Sequence, residues 1–151
     1  MINKYHWRLN MWEVNNNKLI PELSVKDYSK SIEFYVNILG FDINYCREED
    51  KFAMISINKA QIMIEEINEY WKTGELVYPF GRGINLQIEV TDVNKMAGKI
   101  KDNEIKLFRE IEENWYEVNG KQYGYKEFLI QDPDGYLLRF CEDIGIKKGD
   151  K

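Results

Sequence analysis

The chain has 151 residues, 44% of them hydrophobic and 31% charged, with a formal net charge of −5. That is the composition of a soluble globular protein of one domain or two small fused modules, and its acidity argues against a nucleic-acid partner. No apolar run is long enough for a membrane span, and Met1 to Trp7 holds no signal-peptide core, so a cytoplasmic location is expected.

The cysteines, Cys46 and Cys141, lie far apart in strand-like segments without a Cys-x-x-Cys motif, so free thiols are expected rather than a disulfide. His6 is the single histidine. It removes most hydrolase, zinc-protease and histidine-base chemistries.

Residues 1–17 read as an N-terminal extension, with Tyr5, Trp7 and Trp12 before the polar run Asn15-Asn16-Asn17. From Lys18 to Val25 the pattern alternates. Pro21, Leu23 and Val25 share one face, and Ile20, Glu22 and Ser24 the other. Asp27 suits a helix N-cap, Tyr28, Ile32, Tyr35 and Leu39 follow at helical spacing, and Gly40 suits the stop. Three strand-like runs come next, Phe41 to Cys46, Phe52 to Ile57 and Gln61 to Ile67. A long aromatic loop, 68–83, carries Trp71, Tyr78 and Phe80. Such loops in compact domains are usually functional.

The pattern then repeats. Ile84, Leu86, Ile88 and Val90 alternate with Asn85, Gln87 and Glu89, Asp92 is a second N-cap, and Val93, Met96, Ala97 and Ile100 are at helical spacing up to Asn103. Leu107 to Ile111, Trp115 to Val118, Tyr125 to Ile130 and Tyr136 to Cys141 supply the remaining strands. Asp132-Pro133-Asp134-Gly135 joins the last two as a tight turn, with Pro preset for its first corner and Gly free to take positive φ. Val25, Asp27 and Lys30 match Val90, Asp92 and Lys95 at a shift of 65 residues. The chain therefore reads as a duplicated βαβββ module, 18–67 and 84–143, followed by a short tail, 144–151. Each helix covers the apolar face of its strands and leaves a polar face for a cleft.

Three segments, Val25 to Phe41, Gly83 to Asp92 and Asp132 to Tyr136, together resemble the vicinal oxygen chelate superfamily, also called the glyoxalase/bleomycin resistance/dioxygenase superfamily. The resemblance implies an α+β fold of paired βαβββ modules forming a half-open barrel, usually in a dimer. It also implies four strand positions where enzymes of the group hold a divalent metal. Here those positions carry Ile20, Met63, Asn85 and Arg139. Ile and Met offer no hard donor, and Arg is a fixed cation. The expectation is therefore no metal, no cofactor and no catalytic residue. What remains is a metal-independent binding protein resembling the bleomycin resistance proteins, which sequester a drug as homodimers. The alternatives are a glyoxalase- or dioxygenase-type metalloenzyme whose non-standard site draws on Glu22, Glu65, Glu89 and Asn85, and a member sharing the fold alone.

The residues expected at the ligand are Glu22, Glu65, Asn85, Gln87, Glu89 and Arg139 on the polar strand faces, with Trp71, Tyr78, Phe80, Trp115 and Tyr116 around them. Aromatic faces beside acids suit a flat, cationic small molecule. Each has a second reading. Arg139 either takes a ligand carboxylate or pairs internally with Glu22 or Glu89, since a buried charge needs a partner. Trp71, Tyr78 and Phe80 either stack on ligand or fill the dimer interface.

Overall fold

Short polar side chains fix where the helices begin. Asp27 accepts the Lys30 N–H at 3.0 Å and Asp92 accepts the Lys95 N–H at 2.8 Å, so each helix starts one residue after its aspartate. The computed structural model describes residues 16–148; Tyr5, His6, Trp7 and Trp12 of the expected extension, and the last three residues of the expected tail, lie outside them. The described residues form two compact units that divide between Glu75 and Leu76, inside the aromatic loop.

The first unit runs β1 (Glu22–Val25), α1 (Tyr28–Ile32), β2 (Asp42–Arg47), β3 (Phe52–Ile57) and β4 (Ala60–Glu66). The second runs β5 (Asn85–Glu89), α2 (Val93–Asp102), β6 (Arg109–Val118), β7 (Lys121–Gln131) and β8 (Leu137–Lys148). Each unit holds one four-stranded sheet, ordered β1-β4-β3-β2 and β5-β8-β7-β6, with the first strand parallel to the last and the other pairs antiparallel. The two topologies are the same, as the 65-residue shift predicts. Neither sheet closes on itself. Among the described residues no helix is long and apolar enough to cross a membrane.

Alternation decides which face is buried. Leu23, Val25, Ala53, Ile55, Ile62 and Ile64 are buried on one face of the first sheet, together with Tyr28, Ile32, Phe34 and Tyr35 of the helical segment. Ile88, Phe128, Ile130, Leu138 and Phe140 are the equivalent core of the second, with Val93, Ala97 and Ile100. The opposite faces carry the polar residues. A second carboxylate anchors each helix, since the Tyr28 N–H donates to Glu66 at 3.1 Å and the Val93 N–H to Glu142 at 2.9 Å. Both acids come from the last strand of their own sheet.

Three local expectations are corrected. α1 is short and continues as a π-helical stretch, Glu33–Ile38, with the Leu39 N–H reaching the Phe34 carbonyl at 2.9 Å; the adjacent Phe34 and Tyr35 are both buried. Leu107 to Ile111 and Trp115 to Val118 are not separate, because most of both belongs to β6, which bulges between Arg109 and Glu112. β7 and β8 also extend well past the runs that mark them. The Asp-Pro-Asp-Gly turn is as expected: Gly135 has φ +93°, its N–H bonds the Asp132 carbonyl at 3.0 Å, and the Asp132 side chain accepts the Asp134 and Tyr136 N–H groups, each at 2.9 Å. Cys46 and Cys141 are free, the latter buried.

Candidate functional site

The register of the second sheet brings a polar cluster to its uncovered face. β5 and β8 place Gln87 beside Arg139, and β8 and β7 place Arg139 beside Leu129, so Glu127 lies diagonal to it on the same face. Arg139 Nη2 donates to Gln87 Oε1 at 2.5 Å, and its Nη1 stands 4.0 Å from Glu127 Oε2. Glu127 Oε1 accepts from Asn114 Nδ2 and from the Tyr116 hydroxyl, both at 3.0 Å and both from β6. Glu127 is buried and its charge is therefore held by three neighbours. Among the described residues, the ion pair of Arg139 is with Glu127; the sequence reading put Glu22 or Glu89 there.

Two cavities open at this face and share a wall of Tyr116, Glu127 and Arg139. One, about 430 Å³, is mostly aromatic, with Gln87, Val118, Tyr123 and Tyr125. The other, about 330 Å³, is polar and adds Asn85, Arg109, Glu110, Glu112, Asn114 and Leu129. The Tyr116 and Tyr125 rings lie 6.2 Å apart and tilted. Burial, then the hydrogen bond and charge of Glu127, push the Tyr116 phenol above its ordinary pKa. Burial raises the Cys141 thiol on the same face, with Glu89 and Glu127 adding to it, which leaves it a weak nucleophile.

The first unit has its own cluster. Glu22 and Glu65 share a hydrogen bond on the polar face of β1 and β4, and Trp71 Nε1 donates to Glu65 Oε2 at 3.0 Å. Desolvation, then Glu65, lifts the Glu22 carboxyl above its usual value, while Arg47 opposes the shift. Two acids this close favour one shared proton or a nearby cation.

Of the residues expected at the ligand, Gln87, Arg139 and Tyr116 come together, with Asn85 on the polar cavity, and Glu22, Glu65 and Trp71 come together in the other unit. Glu89 flanks Cys141 on the polar face of the second sheet. Trp115 does not join the cluster: its parity sends it to the opposite face, where it lies against Gly124 beneath the Lys147 ammonium, 3.6 Å from its ring centre. Phe80 is buried edge-on to Tyr136 at 5.8 Å, and Tyr78 and Pro79 lean on Gly135, so both rings serve the turn. Glu127, Asn114, Arg109 and Glu112 were missed. Glu127 had a signal, since Tyr123, Tyr125, Glu127 and Leu129 alternate along one strand; it was hidden because Phe128-Leu129-Ile130 reads as a plain apolar run.

A sequence model described as the Glyoxalase/Bleomycin resistance protein/Dioxygenase superfamily matches residues 19–140. The chain belongs to this superfamily. A bleomycin resistance protein of Geobacillus stearothermophilus is 28% identical over 135 residues, covering 83% of this chain and 96% of the relative. A probable lactoylglutathione lyase of Synechocystis is 26% identical over 132 residues, covering 83% and 94%. In fold, the crystal structure of TioX from Micromonospora superposes with a TM-score of 0.65 at 14% identity, covering 85% of this chain and 100% of that one.

The four positions that the resemblance assigns to metal ligands are Ile20, Met63, Asn85 and Arg139; the last three lie on β4, β5 and β8, whereas Ile20 precedes β1 rather than standing on it. Glu22 pairs in register with Met63, as Gln87 does with Arg139. An alkyl chain, a thioether, a carboxamide and a guanidinium already engaged with Gln87 and Glu127 do not fit a divalent ion. Among the described residues no group of three or more His, Cys, Asp or Glu is gathered for a metal.

Proposed function

We propose that this superfamily member is a metal-independent small-molecule-binding protein of the drug-sequestering kind, acting as a homodimer on a flat, cationic ligand. The observation that carries the reading is the tyrosine-lined cavity walled by Glu127 and Arg139. Its three tyrosines offer π-faces to a planar body, and aromatic faces attract cations by about 0.5–2 kcal/mol each. The similarity to bleomycin resistance proteins along nearly their whole length supports the same reading. Of the expected pair Trp115 and Tyr116, it is Tyr116 that lines the cavity, together with Tyr123 and Tyr125.

The test is elemental analysis of protein purified without chelator, followed by calorimetric titration with bleomycin and with a flat cationic dye. The expected result is no stoichiometric metal, binding that chelator leaves unchanged, and roughly tenfold weaker binding in Tyr116→Ala with no loss in Trp115→Ala. A stoichiometric divalent ion would overturn it and favour the alternative, a metalloenzyme similar to the lyase relative. The Glu22–Glu65 carboxyl pair is the feature that would serve that alternative.

A further inference from the structure

Arg139 is under-used by its own neighbours. A guanidinium carries five N–H donors. Among the described residues its only hydrogen bond runs from Nη2 to Gln87. Its Nε is buried without a partner, and Nη1 stands 4.0 Å from Glu127, which is ion-pair contact but too long for a hydrogen bond. The other carboxylate oxygen of Glu127, Oε1, is taken by Asn114 and Tyr116. Across the polar cavity stands a second guanidinium, Arg109, which makes no hydrogen bond or ion pair among the described residues, and Asn85 is likewise uncommitted. Of the three acids there, Glu110 is held by Lys101 at 2.6 Å and Glu127 by its three partners, while Glu112 makes no hydrogen bond or ion pair among the described residues. Against that one free carboxylate stand Arg109, Asn85 and the unused N–H groups of Arg139, so the uncommitted capacity of the polar cavity is mainly donor capacity.

The aromatic and polar cavities adjoin along Tyr116, Glu127 and Arg139, so one molecule can occupy both. We propose that Arg139 and Arg109 recognise a carboxylate, or an equivalent acidic arm, carried by the ligand whose flat body lies on Tyr116, Tyr123 and Tyr125. This rests on the binding reading above and narrows the ligand to an aromatic acid, with any cationic centre on the ring portion beside the tyrosines. A planar fork matches a carboxylate in two parallel hydrogen bonds, which lysine does not reproduce.

The test titrates the full chain with 1-naphthoate and with 1-naphthylmethylammonium, which share a ring and differ in the sign of the arm, in the parent, Arg139→Gln and Arg109→Gln. The expected result is that the parent binds naphthoate, that each variant weakens it by roughly ten- to hundredfold, and that Arg109→Gln, whose residue lies outside the tyrosine-lined cavity, does not weaken the ammonium. If Arg139→Gln does not fold because Glu127 loses its counter-charge, Arg109→Gln carries the comparison, since Arg109 is exposed and has no hydrogen bond or ion pair among the described residues. Naphthoate affinity unchanged in a folded variant, with the ammonium still bound, overturns the acidic arm and leaves the flat-cation reading standing. Neither probe binding the parent overturns both.

Discussion

Glu127 is the residue on which the polar face of the second sheet depends. It is buried, and Asn114, Tyr116 and Arg139 all direct donors at it. Glu127→Gln keeps the shape and removes the charge, leaving Arg139 half-exposed without its counter-ion. We expect a loss of about 1–3 kcal/mol in denaturant unfolding. The same change has a spectroscopic consequence. The folded Tyr116 phenol sits above its ordinary value near 10, so the folded state keeps its proton where the unfolded state releases it. A group raised in this way contributes stability that is fully present below the unfolded value and is lost as pH rises through the folded one. The parent should therefore lose stability above about pH 10 more steeply than Glu127→Gln, and the Tyr116 titration, isolated by subtracting Tyr116→Phe, should move down in the variant. An unmoved phenol would show that Glu127 does not act on it.

At the scale of the elements, the starts of the helices were legible because N-capping is local chemistry. Asp92 sits one residue before α2 and its carboxylate reaches a backbone N–H three residues on. Asp92→Ala should cost about 1 kcal/mol by thermal unfolding, and no more, because Glu142 still satisfies the Val93 N–H. A cost near zero would mean that Glu142 alone holds the helix start. Glu142 itself was not legible, since it arrives from another strand. The strands of the second unit were the least legible part. β6 reads Arg-Glu-Ile-Glu-Glu-Asn-Trp-Tyr-Glu-Val; it is a sheet edge, and the face it shares with the cavities is itself polar, so apolar alternation has nothing to report. A local signal was nevertheless present. Asn119 and Gly120 both take positive φ, 52° and 74°, between β6 and β7, as a two-residue hairpin turn of mirrored type requires. That turn makes the interrupted runs on either side of it one long hairpin. It sets the register that carries Tyr116 to the Glu127 face and Trp115 away from it.

For the whole molecule, the duplication was visible because two copies of one solution repeat the same punctuation, a capping aspartate after an alternating strand. The candidate site was legible in part. Strand parity on β5 and β8 brought Gln87, Asn85 and Arg139 forward, whereas the residues that complete the cluster come from β6 and β7, whose polar face no pattern announced. What the chain leaves uncovered leads to the last prediction. Leu19, Tyr70, Trp71, Ile84, Phe108 and Ile146 are large apolar side chains that are more than half exposed, the first two at 84% and 78%. Fully covering one such side chain is worth about 1.5–3 kcal/mol, and a stable interface needs about 800 Å² from each partner, so covering some of them against a second copy would be favourable. The net charge of −5 opposes that contact. It does so only over a Debye length of about 8 Å at physiological salt. We therefore expect sedimentation equilibrium to give twice the chain mass, with association tightening as salt is raised and loosening in Ile84→Lys, which places a charge at an exposed apolar position. A monomer at every concentration and salt would mean that these side chains stay in water, and the ligand would then have to be held by residues of a single chain.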